Sequence, residues 1–146
     1  MTSPGAGIRV AEVSDLGELV RLRELEIQDL QAERDGDLWW AIDGPPSDGS
    51  DLANAVDDDD ALVVLGLLDE VPVGFTSAAR RSTRDGQALA VVSDLYVEVP
   101  ARELGVGEAM MDAVINWARS QACTGIDATV LPGSREAKTF FERNGL

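Results

Sequence analysis

Two acids and a phenol stand at alternate positions in Asp94-Leu95-Tyr96-Val97-Glu98. In an extended chain alternate side chains share a face, so Asp94, Tyr96 and Glu98 would line one side of a regular strand, although a bulge would change that parity. A carboxylate there can take the proton of an ammonium group, directly or through water, and release its nitrogen as a nucleophile; this makes Asp94 and Glu98 the candidate general bases. Shortly after, Arg102, Gly105 and Gly107 stand where a strand gives way to a helical pattern. The unpaired amides of a helix start, the helix dipole and a guanidinium can converge on a phosphate. The elements that must position these groups follow from spacing. Leu95, Val97 and Val99 alternate with polar residues, whereas Met110, Ala113, Val114, Trp117 and Ala118 recur at helical intervals, so Ser93 to Ser120 reads as strand, glycine-bearing turn and amphipathic helix.

Known phosphate-binding patterns can be tested against the turn. A Walker loop needs Gly-Lys-Ser/Thr, but the single lysine, Lys138, lies far away. The dinucleotide fingerprint wants Gly or Ala where Met110 stands, and no repeating strand-helix-strand pattern precedes it. The segment instead resembles the acetyl-coenzyme A signature of the GNAT superfamily of N-acetyltransferases, Gln/Arg-x-x-Gly-x-Gly/Ala after a Leu-Tyr-Val strand and a proline. Here it stands as Arg102-Glu103-Leu104-Gly105-Val106-Gly107, preceded by Leu95-Tyr96-Val97 and Pro100. Val73-Gly74-Phe75 and the C-terminal Ala137-x-x-Phe140-Phe141-x-x-x-Gly145-Leu146 also look like family patches, and the resemblance covers most of the chain.

The resemblance implies an α/β, GNAT-like acyl-CoA N-acyltransferase fold: a mixed, mainly antiparallel sheet flanked by helices on both faces, in a single domain over residues 1–146. It implies acetyl-CoA as co-substrate, with Arg102, Glu103, Leu104, Gly105, Val106, Gly107 and Glu108 around its phosphates. It further implies that the pantetheine arm pairs with the main chain of Leu95, Tyr96 and Val97, with Ser134 and Phe140 completing the cofactor site. Two departures matter. Ser134 replaces a frequent Asn while keeping a hydrogen-bonding group, and Phe141 replaces a frequent Tyr that serves as general acid to the leaving thiolate. A phenyl ring donates no proton, but a thiol with an ordinary acidity of about 8.5 leaves acceptably without help, so transfer is expected at a lower ceiling. Tyr96, the one tyrosine, is a candidate substitute acid, with packing as the alternative role. A backbone N–H near Val97 would meet the developing oxyanion. The family also continues past the Gly-Phe position with at least one more strand; this chain stops at Leu146, so either the sequence is a truncated form or a neighbouring subunit, as in a homodimer, covers the edge.

Composition narrows the partners. The 146 residues suffice for one core, and the 45% apolar share is ordinary for a globular protein. There is no histidine, which removes Ser-His-Asp and Cys-His nucleophile systems and His-based metal sites; Cys123 stands alone, which removes disulfides within the chain and multi-cysteine zinc sites. No metal site is expected, because Asp57 to Asp60 lack the alternating ligands and central glycine of a calcium loop. The net charge of −15 is concentrated: residues 1–70 hold 18 acids and 4 bases, residues 71–146 hold 9 and 8. Nucleic acid and anionic membranes would be repelled, whereas a cationic substrate would be drawn to the acidic half, unless the acids serve only to solvate the surface. With no apolar run of membrane-spanning length and no signal-peptide pattern at the start, a cytoplasmic location is expected.

Ile8 to Val13 alternates as a short strand, and Asp15 with Glu18 looks like a capping box opening a helix to about Ala32. Trp39-Trp40 and the loop Asp43 to Ser50 follow, the tryptophans being candidates for an acceptor pocket or for core packing. A short helix is expected over Asp51 to Val56. Ala61 to Leu68, Val71 to Ala79 and Leu89 to Val99 form an antiparallel meander with turns at Asp69-Glu70 and Asp85-Gly86. After the organising helix, Ile126 to Leu131 should be a strand parallel to the third meander strand, followed by a helix over Ser134 to Arg143. The sequence therefore supports an N-acetyltransferase acting on a small-molecule or peptide amine. The alternative is a degenerate acyl-CoA-binding sensor or interaction module.

Overall fold

The computed structural model describes residues 5–32 and 48–128. Within them β1 (Ala6–Val10), β2 (Ala61–Leu68), β3 (Val71–Ser82), β4 (Ala88–Val97) and β5 (Gly125–Ala128) form one sheet in the order 1-2-3-4-5. The first three junctions are antiparallel, and β4 and β5 are parallel, as a strand returning through a crossover helix requires. The expected Trp39-Trp40 region, the end of the last strand and the Ser134 to Arg143 helix lie outside the described residues.

Alternation decides which helix covers which face. Leu65 and Val63 of β2 turn toward α1 (Leu16–Gln31) and α2 (Ser50–Val56), joining Leu19, Leu22, Leu52, Phe75 and Tyr96 in one apolar cluster. Val64 and Leu62 turn the other way, onto Val106, Met110, Met111 and Val114 of α3 (Val106–Ser120). Each such side chain, fully withdrawn from water, contributes about 1.5–3 kcal/mol. The result is three layers, with helices on both faces of the sheet.

Local chemistry sets the boundaries. Two residues join β2 to β3, Asp69 and Glu70, and both take positive φ (50° and 70°), the backbone of a type I′ turn that matches strand twist. β4 stops at Val97 and gives way to a 3-10 turn, Val99–Ala101, because Pro100 has no amide for a ladder. At the other end, the carboxylate of Asp15 accepts from the Glu12 amide (2.9 Å) and from Arg9 (2.7 Å), closing a 3-10 turn, Val13–Asp15, ahead of α1. Asp15 thus does not pair with Glu18 in the expected box; Glu18 faces Arg21 at 2.9 Å instead.

Two features bring α3 to the sheet. Gly66 and Gly74 are register partners on β2 and β3. A Cβ on Gly66 would lie 2.5 Å from Val106 Cγ1 and 2.8 Å from Met110 Sδ, and one on Gly74 would lie 2.5 Å from the Tyr96 carbonyl oxygen. The paired glycines make a notch that receives the first turn of α3.

Candidate active site

β4 is not a regular strand. Ser77 pairs with Asp94 and Ala78 with Val92, so Ser93 is an extra residue, and the parity of the strand reverses there. Val92, before the bulge, packs toward α3, whereas Tyr96, after it, packs with Leu19 and Leu22 of α1. Asp94 and Tyr96 do share a face; Glu98 lies past the end of the strand, where its carboxylate meets Arg21 Nη1 at 3.1 Å. The structure therefore does not bring the two candidate bases together.

After the bulge the ladder to β3 continues. The Glu98 amide donates to the Val73 carbonyl at 2.8 Å, and the register continues through Gly74↔Val97, Phe75↔Tyr96 and Thr76↔Leu95. By the alternation of an antiparallel ladder, Tyr96 exchanges bonds with β3, while the N–H and C=O of Leu95 and Val97 point to the opposite edge. The described pairing of β5 on that edge covers Leu89 to Val92 only. The main-chain donor expected near Val97 is thus aimed away from β3, into the edge where β4 continues beyond its described parallel partner.

The turn that follows is shaped by glycine. Gly105, the N-cap residue of α3, has φ 90°, a left-handed conformation that side chains resist, and as a glycine it makes no side-chain cap bond. Val106 is buried, Gly107 half-buried and Glu108 exposed, so the first-turn backbone lies at the surface with Leu104, 42% exposed, beside it. Glu103 also takes positive φ. Arg102 is turned inward: Nε donates to the Val97 carbonyl (2.9 Å), Nη2 meets Asp29 of α1 (3.2 Å), and the guanidinium lies 5.7 Å from the centre of the Tyr96 ring. Burial, with the Asp29 carboxylate beside it, pushes the Tyr96 phenol well above its usual range and holds it protonated.

Beneath β4 is a charged cluster that the sequence reading missed. Arg23 of α1 is fully buried; its Nη1 and Nη2 donate to the two oxygens of Asp51 on α2 at 3.0 Å each, and Nη2 reaches Asp94 Oδ2 at 3.2 Å. The guanidinium also lies over the Phe75 ring, 5.7 Å from its centre. Asp94 Oδ2 accepts from Ser77 Oγ at 2.6 Å, and Thr76 Oγ1 donates to the Asp94 carbonyl at 2.6 Å, which secures the bulge. Glu26, one turn along α1, has Oε1 3.4 Å from Arg23 Nε. The signal was present: Arg23 and Glu26 continue the spacing of Leu16, Leu19, Leu22 and Ile27 on the inner face, where a charge needs a buried partner.

The profile of the acetyltransferase (GNAT) family matches residues 19–146. The chain belongs to the GNAT acetyltransferase family. Among solved structures, a transcriptional regulator from Bacillus halodurans C-125 superposes with a TM-score of 0.73 at 20% identity, covering 97% of this chain and 93% of its own. Aminoglycoside N-acetyltransferase AAC(6')-Iy in complex with CoA gives 0.76 at 17% identity, covering 99% and 90%. Ribosomal-protein-alanine N-acetyltransferase from Brucella melitensis biovar Abortus 2308 gives 0.71 at 16% identity, covering 96% and 90%. At such identities these likenesses establish the shared fold. No curated protein matches the sequence.

Acetyl-CoA is the co-substrate of the GNAT family. The N-cap residue Gly105 makes no side-chain cap bond and holds the left-handed turn, and the glycine notch fixes the helix against the sheet. Among the described residues no group of three or more acids or cysteines is arranged to hold a metal, and no helix is long and apolar enough to cross a membrane.

Proposed function

We propose that the protein transfers an acetyl group from acetyl-CoA to a primary amine by direct attack of the amine on the thioester. The observation that carries this reading is the coincidence, at one end of β4, of a main chain aimed away from β3 at Leu95 and Val97 and a helix start whose N-cap is the left-handed Gly105. The backbone of 102–108 would hold the phosphates, and the N–H of Val97 is oriented to stabilise the charge that develops on the carbonyl oxygen. Ser134 and Phe140 complete the proposed cofactor set.

Arg102 acts in this reading through the strand. Its bonds to the Val97 carbonyl and to Asp29 tie the turn, β4 and α1 together, and its positive charge stays within the turn region. Asp94 supplies the carboxylate nearest the bulge, held in place by Ser77 and Arg23, and Glu98 lies at the rim with Arg21. The acceptor is proposed to be a cationic amine, since the two helices on the Asp94 side come from the acidic half of the chain.

A calorimetric titration with acetyl-CoA, with NADH and ATP as controls, tests the reading first. Selective binding of acetyl-CoA, followed by amine-dependent release of free thiol, is the expected result. Binding without thiol release over a broad amine panel would favour the sensor alternative, and equal or absent binding of all three nucleotides would overturn the cofactor assignment.

A further inference from the structure

Glu26 pairs with Arg23 on its own helix, but it adds a third carboxyl group to a guanidinium whose terminal nitrogens are already taken. Among the described residues the charged neighbours of Glu26 are Arg23 on its own helix, Asp51 on α2 and Asp94 on β4, so that with Glu26 itself three carboxyl groups surround this guanidinium. Arg23 gives its terminal nitrogens to Asp51 and Asp94, and these bonds alone suffice to clamp α1 and α2 to the sheet. Glu26 is 7% exposed; its carboxyl hydrogen-bonds with Asp94, while its Oε1 is buried with no hydrogen-bond partner among the described residues. A buried acceptor left unmade destabilises the fold, so a surplus carboxyl in this position weakens the clamp. An oxygen of this kind suits a donor that arrives from outside. Asp51, whose side chain is 37% exposed, marks the side on which the cluster meets solvent.

Resting on the acetyltransferase reading, we propose that Glu26 is the residue that receives the acceptor's ammonium group and takes its proton, with Asp94 as its partner. In this step an N–H bond of the ammonium breaks and an O–H bond forms at Glu26 Oε1. The electron pair left on nitrogen forms the N–C bond as the C–S bond of the thioester breaks, and the second proton that the nitrogen then sheds goes to the departing sulfur, which leaves as the free thiol. The proton on Glu26 is shared with Asp94 and returns to solvent past Asp51. Burial and the adjacent Asp94 carboxylate hold the Glu26 carboxyl well above the usual glutamate range, against the opposing pull of Arg23, which raises its affinity for a proton. The ligand class is a primary alkylamine that is protonated near neutral pH, since such an amine must yield a proton before its nitrogen can attack.

The test compares the intact protein with Glu26→Gln. Acetyl-CoA affinity is measured by calorimetry, and thiol release is followed from about pH 5.5 to about pH 9 with spermidine, sisomicin and an alanine-first peptide as acceptors. Glu26→Gln should bind acetyl-CoA within about twofold of wild type, lose about a hundredfold or more in kcat, and lose the acidic limb of the rate profile. Because the base form accumulates only as pH rises through a raised carboxyl value, that limb should lie above the ordinary glutamate range in the wild type. A variant that keeps both the limb and the rate overturns the proposal, while intact acetyl-CoA binding shows that the cofactor reading survives. Carboxyl NMR of glutamate-labelled protein decides independently of turnover. The resonance absent from Glu26→Gln should titrate above the usual range and shift on addition of at least one of the three amines; ordinary titration, or no shift with any of them, overturns the assignment.

Discussion

Arg23 carries a full charge to zero exposure, and the chain answers it from three elements: Glu26 on α1, Asp51 on α2 and Asp94 on β4. Removing one member of a buried ion cluster leaves the others uncompensated, which costs more than the cluster contributes when whole. Arg23→Met should therefore lower unfolding free energy by about 3–5 kcal/mol in urea titration at neutral pH, because Asp94 would remain 95% buried without its cation. A loss under about 1 kcal/mol would mean that water reaches Asp94 and that the cluster is not dry. Glu26 should behave in the opposite sense. A carboxyl whose value in the folded state is raised stabilises the fold fully below its unfolded value, and this contribution is lost as pH rises through the folded value. The stability of Glu26→Gln relative to wild type should accordingly improve as pH rises. These residues were the least legible part of the sequence. Charges at positions 23 and 26 on an apolar helix face require partners, but nothing in local spacing names Asp51 and Asp94, which are 28 and 71 residues from Arg23.

At the scale of the element, α3 is held by what two strands lack. The pair Gly66 and Gly74 leaves room for Val106 and Met110, so the helix start is set by backbone approach, where side-chain capping plays no part. Gly66→Ala places a methyl group 2.5 Å from Val106 Cγ1. Overpacking of this kind costs about 1–3 kcal/mol, and here the relief available is to lift the first turn of α3 from the sheet. Stability should fall by that amount, and acetyl-CoA should bind several-fold more weakly because the amides of Val106 to Glu108 move with the turn. Gly7→Ala on β1, where an added Cβ meets nothing within 4 Å, is the control. If Gly66→Ala loses stability and retains its calorimetric affinity, the helix start does not position the cofactor. Strand and helix extents were legible because the apolar periods are clean: Ala61 to Leu68 and Val71 onward appear as strands where expected, as does the helix after Gly105. The bulge at Ser93 was not, since one inserted residue changes no composition and shows itself only through the register of β3.

At the scale of the whole molecule, charge and layer coincide. Residues 1–70, with 18 acids against 4 bases, supply α1 and α2 on one face of the sheet; residues 71–146, with 9 against 8, supply α3 on the other. The fold class and this division were legible together, since the meander, the glycine turn and the crossover helix follow one another in the chain and the acids precede them. The two substrates proposed for this protein have opposite charge and would approach opposite electrostatic faces: the anionic coenzyme at the start of α3, the cationic amine toward Asp51 and Glu26. Screening then acts on them differently. At about 0.1 M salt the screening length is about 10 Å, so the summed attraction of a negative face for a cation fades, while contacts between hydrogen-bonded groups persist. Raising ionic strength from about 0.01 M to about 0.3 M should increase KM for spermidine about threefold or more with kcat nearly constant. Over the same range acetyl-CoA affinity should hold or tighten, because the overall charge of −15 repels an anion and salt weakens that repulsion. A matched rise in both constants would mean that the two substrates experience the same field, and the acidic half would then serve to solvate the surface and not to guide the acceptor.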